Sequence, residues 1–342
     1  MEKKKIVVVM GGPSAEHEIS LKTGFQILSN LDKNKYSVSA LVISKNKEFR
    51  FAQNTIQITQ EDINNAETSP FFRGGYKPCN SMLIWENVSG AFLALHGEFG
   101  EDGVFQGYLD TIGVKYTGCG VLSSAVGMNK IFAKKIFEAS GITTPPYSIF
   151  RKGDSENEIK EILAKHRFPL FVKAPQSGSS KLMSKVENEQ DLRSAIKDIS
   201  KNCNSILVES NVKGDEFSCP VIEIKGELRV LSPIYIKPKN SAGFFDYNAK
   251  YLGESEEICP PPHDKEIIEL IQKTAISVHK VLECRGYSRT DIIVQDSVAY
   301  VLEINTLPGM TSTSLIPKSF AAEGGNFSEL LDIIIDNMLK PS

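Results

Sequence analysis

The residues whose types and spacing best suit chemistry are Arg289, Asp291, Glu303 and Asn305. They lie in the runs Arg289-Thr-Asp-Ile-Ile-Val-Gln295 and Ala299-Tyr-Val-Leu-Glu-Ile-Asn305, joined by Asp296-Ser-Val298. Both runs are rich in β-branched and aliphatic residues and read as strands, so the whole reads as a β-hairpin. If the loop spans 296–298, Gln295 pairs with Ala299, Asp291 with Glu303 and Arg289 with Asn305. Strand side chains alternate between faces. These four polar residues then share one face, and Ile292, Val294, Tyr300, Leu302 and Ile304 share an apolar one. Facing carboxylates repel unless a cation lies between them. With an amide beside them they form a hard-oxygen set suited to Mg²⁺. The plainer alternative is an exposed face on which Arg289 neutralises Asp291. The following run, Thr306-Leu-Pro-Gly-Met-Thr-Ser312, favours the metal, because a Gly-bearing turn can bring backbone N–H groups close to an anion.

A metal with phosphates needs further cations. The chain has no Gly-Lys dipeptide, which excludes a Walker A loop, and Gly11-Gly-Pro-Ser14 does not fit the dinucleotide fingerprint. Lys173 instead follows the apolar Phe171-Val172, and Gly178-Ser179-Ser180 comes soon after it; Lys130 opens a helix. Taken singly, a lysine is more often a solvated surface charge than a ligand.

The elements that must position these groups alternate strand and helix. Residues 5–10 read as a buried strand, too short an apolar run for a secretory leader. Ser14 is placed to cap a helix over 15–31, and 36–44 and 91–95 read as further strands. The segment 62–80, rich in Asn, Gly, Pro and Ser, reads as a surface loop. This alternation predicts a parallel sheet covered by helices. Further along, helices are predicted over 130–140, 191–201, 264–283 and 328–339, and strands over 170–173 and 206–209. The 342 residues exceed one ordinary core, so two or three domains are expected. The net charge of −3 excludes a general nucleic-acid binder. No run reaches membrane-span length. The six cysteines lack zinc spacing and read as thiols of a cytoplasmic protein.

Read in order, several segments resemble the D-alanine–D-alanine ligases of the ATP-grasp superfamily. They are Gly11-Gly-Pro-Ser-Ala-Glu-His-Glu-Ile-Ser20, His96-Gly-Glu-Phe-Gly-Glu-Asp-Gly103, Tyr116-Thr-Gly-Cys-Gly120 with Met128-Asn-Lys130, and Phe171-Val-Lys173 with Gly178-Ser-Ser180. Asp246-Tyr-Asn-Ala-Lys-Tyr-Leu252, Gly286-Tyr-Ser-Arg-Thr-Asp291 and Glu303-Ile-Asn-Thr-Leu-Pro-Gly-Met-Thr311 complete the series. The resemblance implies a three-domain architecture of α/β and α+β units: an N-terminal parallel α/β domain over 1–128, then ATP-grasp subdomains over 129–217 and 218–342. It implies ATP-dependent joining of two D-alanines through an acyl phosphate, for peptidoglycan precursors.

Carried over motif by motif, Glu16 anchors the first ammonium and His96 lies by the first substrate. Lys130, Lys173, Ser179, Ser180 and Lys250 hold ATP phosphates or close over them. Glu209, Ser210, Val212 and Glu216 line the adenine and ribose pocket, although without the resemblance the two glutamates would read as surface charges. Asp291, Glu303 and Asn305 hold Mg²⁺ or Mn²⁺, two ions in all. Arg289 and the Gly309 N–H stabilise the oxyanion. Ser314 and Leu315 receive the second D-alanine, and Tyr251 favours the dipeptide product. The family is commonly dimeric, so a homodimer is expected. The chain departs from the pattern at Lys181-Leu182, Ser210-Asn211 and Thr290. A ligase with another acceptor, or a non-catalytic nucleotide- or amino-acid-binding relative, are the alternatives.

Overall fold

The structure is a computed structural model and describes residues 3–176, 182–238 and 255–340. Three sheets organise it. The first block contains β1 (Lys4–Gly11), α1 (His17–Asn30), β2 (Tyr36–Ile43), β3 (Phe49–Ala52), α2 (Gln60–Asn64), β4 (Arg73–Tyr76), β5 (Gly90–Leu93), α3 (Val104–Thr111) and α4 (Val121–Met128). Its sheet runs β4-β3-β2-β1-β5, with β1 parallel to both neighbours and β3 and β4 added antiparallel. The central strands are continuous apolar runs because both faces are covered.

The second block holds α5 (Lys130–Ala139), β6 (Tyr147–Arg151), α6 (Glu156–Lys165), β7 (Leu170–Lys173), β8 (Met183–Val186), α7 (Glu189–Ile199) and β9 (Ser205–Ser210). Its four strands form an antiparallel sheet in the order β6-β9-β7-β8. The third comprises β10 (Asp215–Ile224), β11 (Glu227–Val230), β12 (Ile234–Pro238), β13 (Ser255–Ile258), α8 (Lys265–Val281), β14 (Tyr287–Gln295), β15 (Val298–Asn305), α9 (Leu315–Ala322) and α10 (Phe327–Leu339). Its sheet runs β13-β12-β10-β14-β15, with β11 paired to β10. The last helix returns to the beginning of the chain: Leu330, Leu331, Ile334, Ile335 and Met338 join the core of the first sheet.

The hairpin differs from expectation in two compensating ways. Gln295 pairs with Val298, not Ala299, so the turn is the two residues Asp296 and Ser297, with φ of 50° and 59°. Such positive φ values at both central positions suit the right-handed twist of a tight hairpin. The register then shifts between Asp291 and Ile292, leaving Leu302 unpaired as a β-bulge, and Asp291 still meets Glu303. The bulge changes the apolar face: Ala299, Val301 and Ile304 are buried there, while Tyr300 and Leu302 are not.

Two other expectations need correction. Ser14 does not cap α1; Glu16 is the residue before it, and the Ser14 hydroxyl accepts from the Glu16 N–H. The segment 62–80 is not all loop, because α2 begins in a reciprocal Thr59–Asp62 capping box and β4 forms the sheet edge.

Candidate active site

The parallel strands β1 and β5 release their chains at the same end, where an open α/β sheet presents its ligand crevice. Ser20, buried in α1, locks that end: its hydroxyl accepts from the Gly11 N–H and donates to the Ala94 carbonyl, both at 2.7 Å. Three residues along the same face of α1, Thr23 holds His96 Nε2 at 3.0 Å. His96 is buried, and burial keeps its imidazole below the ordinary value against the pull of the Glu16 charge.

A cavity of about 150 Å³ opens here. Its wall gathers Glu16 and His96 from the first sheet, Lys130 from α5, and Arg289, Glu303 and Asn305 from the hairpin. Gly309, Ser314 and Leu315 from the turn and helix that follow complete it. Nine of the sequence-predicted residues thus converge on one cavity from segments far apart in the chain. Asp291 lies behind the wall, 2% exposed. Its Oδ1 accepts from Ser218 Oγ at 2.5 Å and Arg289 Nε at 3.1 Å, and its Oδ2 accepts from Arg289 Nη2 at 3.2 Å and Asn305 Nδ2 at 3.1 Å. Arg289 does neutralise Asp291, but in a buried network and not on an exposed face.

Helix α5 serves two sheets. It starts at Lys130 because the Asn129 side chain accepts from the Ile131 and Phe132 N–H groups. Lys130 Nζ reaches Glu303 Oε2 at 2.9 Å. One turn on, Lys134 is fully buried and its Nζ lies 2.5 Å from Glu209 Oε1, while Glu209 Oε2 pairs with Lys173. Glu209 is therefore no surface charge. Burial alone would raise its pKa, but the two ammonium groups overcome this and bring it down to about 2.

Sequence reasoning passed over Lys134, since nothing local marks a lysine in an amphipathic helix as buried; its partner is 75 residues away. It also passed over Ser218, Glu101 and Glu257. The last two line the cavity. Ser210 Oγ bonds His166 Nδ1 at 2.8 Å, Val212 lies in the connection between β9 and β10, and Glu216 is half-buried on β10. None of these three lines the cavity. Ser179, Ser180, Lys181, Lys250 and Tyr251 lie outside the described residues. Ser314 precedes α9, and its hydroxyl accepts from the Thr311 N–H at 3.0 Å.

Among the described residues no three His, Cys, Asp or Glu side chains gather at one point. Asp291, Glu303 and Asn305 supply two carboxylates and an amide, which is the right donor class for Mg²⁺ if phosphate oxygens fill the remaining positions.

Known proteins resemble the chain over nearly its whole length. The family model described as D-ala D-ala ligase N-terminus matches residues 5–119, and that described as D-ala D-ala ligase C-terminus matches residues 136–336. A D-alanine–D-alanine ligase of Clostridium beijerinckii is 40% identical over 99% of both chains, and one of Leptospira biflexa is 36% identical over 99% of this chain and all of that one. Among solved structures, the VanG D-Ala:D-Ser ligase of Enterococcus faecalis superposes with a TM-score of 0.85 at 33% identity, covering 98% of this chain and all of that one. The Bacillus anthracis D-alanine–D-alanine ligase complexed with ATP gives 0.77 at 32% identity, covering 98% and 97%. With its two family segments, its full-length relatives and its ATP-grasp architecture all in agreement, the chain belongs to the D-alanine–D-alanine ligase family.

Proposed function

We propose that the chain joins two D-alanines at the cost of ATP, through an acyl phosphate, for peptidoglycan precursors. The observation that carries this is the convergence of Glu16, His96, Lys130, Arg289, Gly309 and Ser314 on one cavity beside the Asp291–Glu303 pair. Glu16 takes the ammonium of the first D-alanine, whose carboxylate is then phosphorylated by ATP. Lys130 and Lys173 steady the phosphates as point charges. Asp291, Glu303 and Asn305 would hold Mg²⁺, which when bound would offset phosphate charge. The amine of the second D-alanine attacks the acyl carbon, Arg289 and the Gly309 N–H bind the resulting oxyanion, and phosphate leaves. Ser314, at the start of α9, receives the acceptor carboxylate, where helix N–H groups favour an anion. Ser179, Ser180, Lys250 and Tyr251 complete this reading from the sequence.

The fold similarity to a D-Ala:D-Ser ligase supports a second reading, with D-serine as acceptor. Phosphate release from ATP and Mg²⁺ with D-alanine alone supports the first reading. Release that requires D-serine supports the second, and release with neither overturns both.

A cytoplasmic homodimer fits this role. No described helix is long and apolar enough to cross a membrane. Val104, Val121, Leu122 and Phe132 are exposed on the consecutive helices α3, α4 and α5 and would suit a second copy of the chain.

A further inference from the structure

Glu101 is a carboxylate in the cavity wall that the reading above leaves without a role. It lies between β5 and α3, and its two oxygens accept from different segments. Oε2 takes the Gly97 N–H at 3.3 Å, and Oε1 takes the Leu307 N–H at 3.4 Å. Gly97 is pressed against Glu16: its φ is +67°, and a Cβ there would fall 2.7 Å from Glu16 Oε2. The φ favours glycine, and any side chain there would push the Glu16 carboxylate aside. Leu307 opens the turn that leads to Gly309. A Cβ on Gly309 would stand 3.1 Å from Ser314 Oγ and 4.0 Å from His96 Cε1. One side chain therefore spans the first-substrate wall and the turn bearing the oxyanion donor.

We infer that Glu101 is a positioning residue whose carboxylate fastens the 306–309 turn to the Gly97 end of the first sheet, and so sets the Gly309 N–H against Glu16 and His96. The inference rests on the ligase reading. Glu16 faces Glu101 from the approach to α1, Arg289 and Tyr287 face it from β14, and His96, its pKa lowered by burial, shares the same wall. Burial and the Glu16 charge push Glu101 up to about 7, against the Gly97 and Leu307 N–H groups and the Arg289 charge. The fastening is thus present above about pH 7 and lost as pH falls through it. A substrate ammonium entering beside Glu16 favours the ionised form. The acid limb should therefore lie lower in kcat than in kcat/KM for D-alanine.

The test compares wild type, Glu101→Gln and Glu101→Asp by D-alanine-dependent phosphate release between about pH 5.5 and 9. Glu101→Gln is expected to lower kcat/KM for D-alanine at least about tenfold at alkaline pH and to lose the acid limb, with KM for ATP changed less than about twofold. Glu101→Asp keeps the limb at reduced rate, having charge without reach. Wild-type kcat/KM with an unchanged limb in Glu101→Gln would overturn the inference while leaving the ligase reading intact. Absence of release by wild type would instead sink the ligase reading. Should Glu101→Gln not fold, ¹³C NMR of glutamate carboxyl carbons in the wild-type chain decides. One carboxyl titrating near neutrality and moving down with D-alanine supports the inference, and none titrating above about pH 5.5 contradicts it.

Discussion

Arg289 grips Asp291 through two nitrogens of its guanidinium while facing the cavity. That fork matters as geometry, since a lysine would keep the charge but not the paired hydrogen bonds. Arg289→Lys should leave a folded protein, because Asp291 retains Ser218, Asn305 and a nearby cation. Its kcat with saturating D-alanine should fall by roughly 100-fold or more, about 3 kcal/mol of barrier. A kcat within threefold or so of wild type would remove Arg289 from the oxyanion site. The buried Lys134–Glu209–Lys173 group teaches a different lesson. Each charge is tolerable only because the others are present, and the depressed Glu209 pKa says the same.

At the scale of elements, the hairpin shows what could be read in the sequence and what could not. Alternation of polar and apolar residues was enough to place Asp291 opposite Glu303 and Arg289 opposite Asn305. The route was different: one residue fewer in the turn is offset by one extra at Leu302. Alternation counts faces, and a bulge beside a site shifts that count without announcing itself in residue type. The same limit explains Lys134 and Glu209, whose burial depends on partners from other elements. The short β4 was illegible because it lies exposed at a sheet edge, and β10 because its buried run Phe217–Ile222, in the middle of its sheet, carries Ser218 and Pro220, which read against a central strand. The tight turn yields its own prediction. Ser297 has φ of 59°, a conformation that costs a non-glycine residue roughly 1–2 kcal/mol. Replacing it by glycine recovers most of that cost less about 0.5–1 kcal/mol of chain entropy. Ser297→Gly should therefore raise Tm by about 1–3 °C with activity unchanged, which a thermal melt and a rate assay would check. A fall in Tm would argue against the two-residue turn.

At the scale of the molecule, the site belongs to no single sheet. The first sheet supplies Glu16 and His96, α5 supplies Lys130, and the third sheet supplies the hairpin and the start of α9. The core agrees: Tyr287, Leu307, Met310 and Phe320 pack with the strands of the N-terminal sheet. A site assembled in this way depends on how the blocks dock, so isolated blocks should have no activity. The exposed apolar residues on α3 to α5 extend the same logic to a second copy. Leu122 is 64% exposed, and Leu122→Asp should convert a dimer to a monomer in light scattering, because a charge at the centre of an apolar contact goes unpaired. Wild type that is already monomeric at micromolar concentration would contradict the dimer. The central claim is ligation through an acyl phosphate, and one measurement tests it most directly. D-alanine labelled with ¹⁸O in its carboxylate would be turned over with ATP and Mg²⁺, and both products weighed by mass spectrometry. The account predicts D-alanyl-D-alanine together with phosphate carrying one labelled oxygen from the first substrate; dipeptide with unlabelled phosphate, or no dipeptide at all, would contradict it.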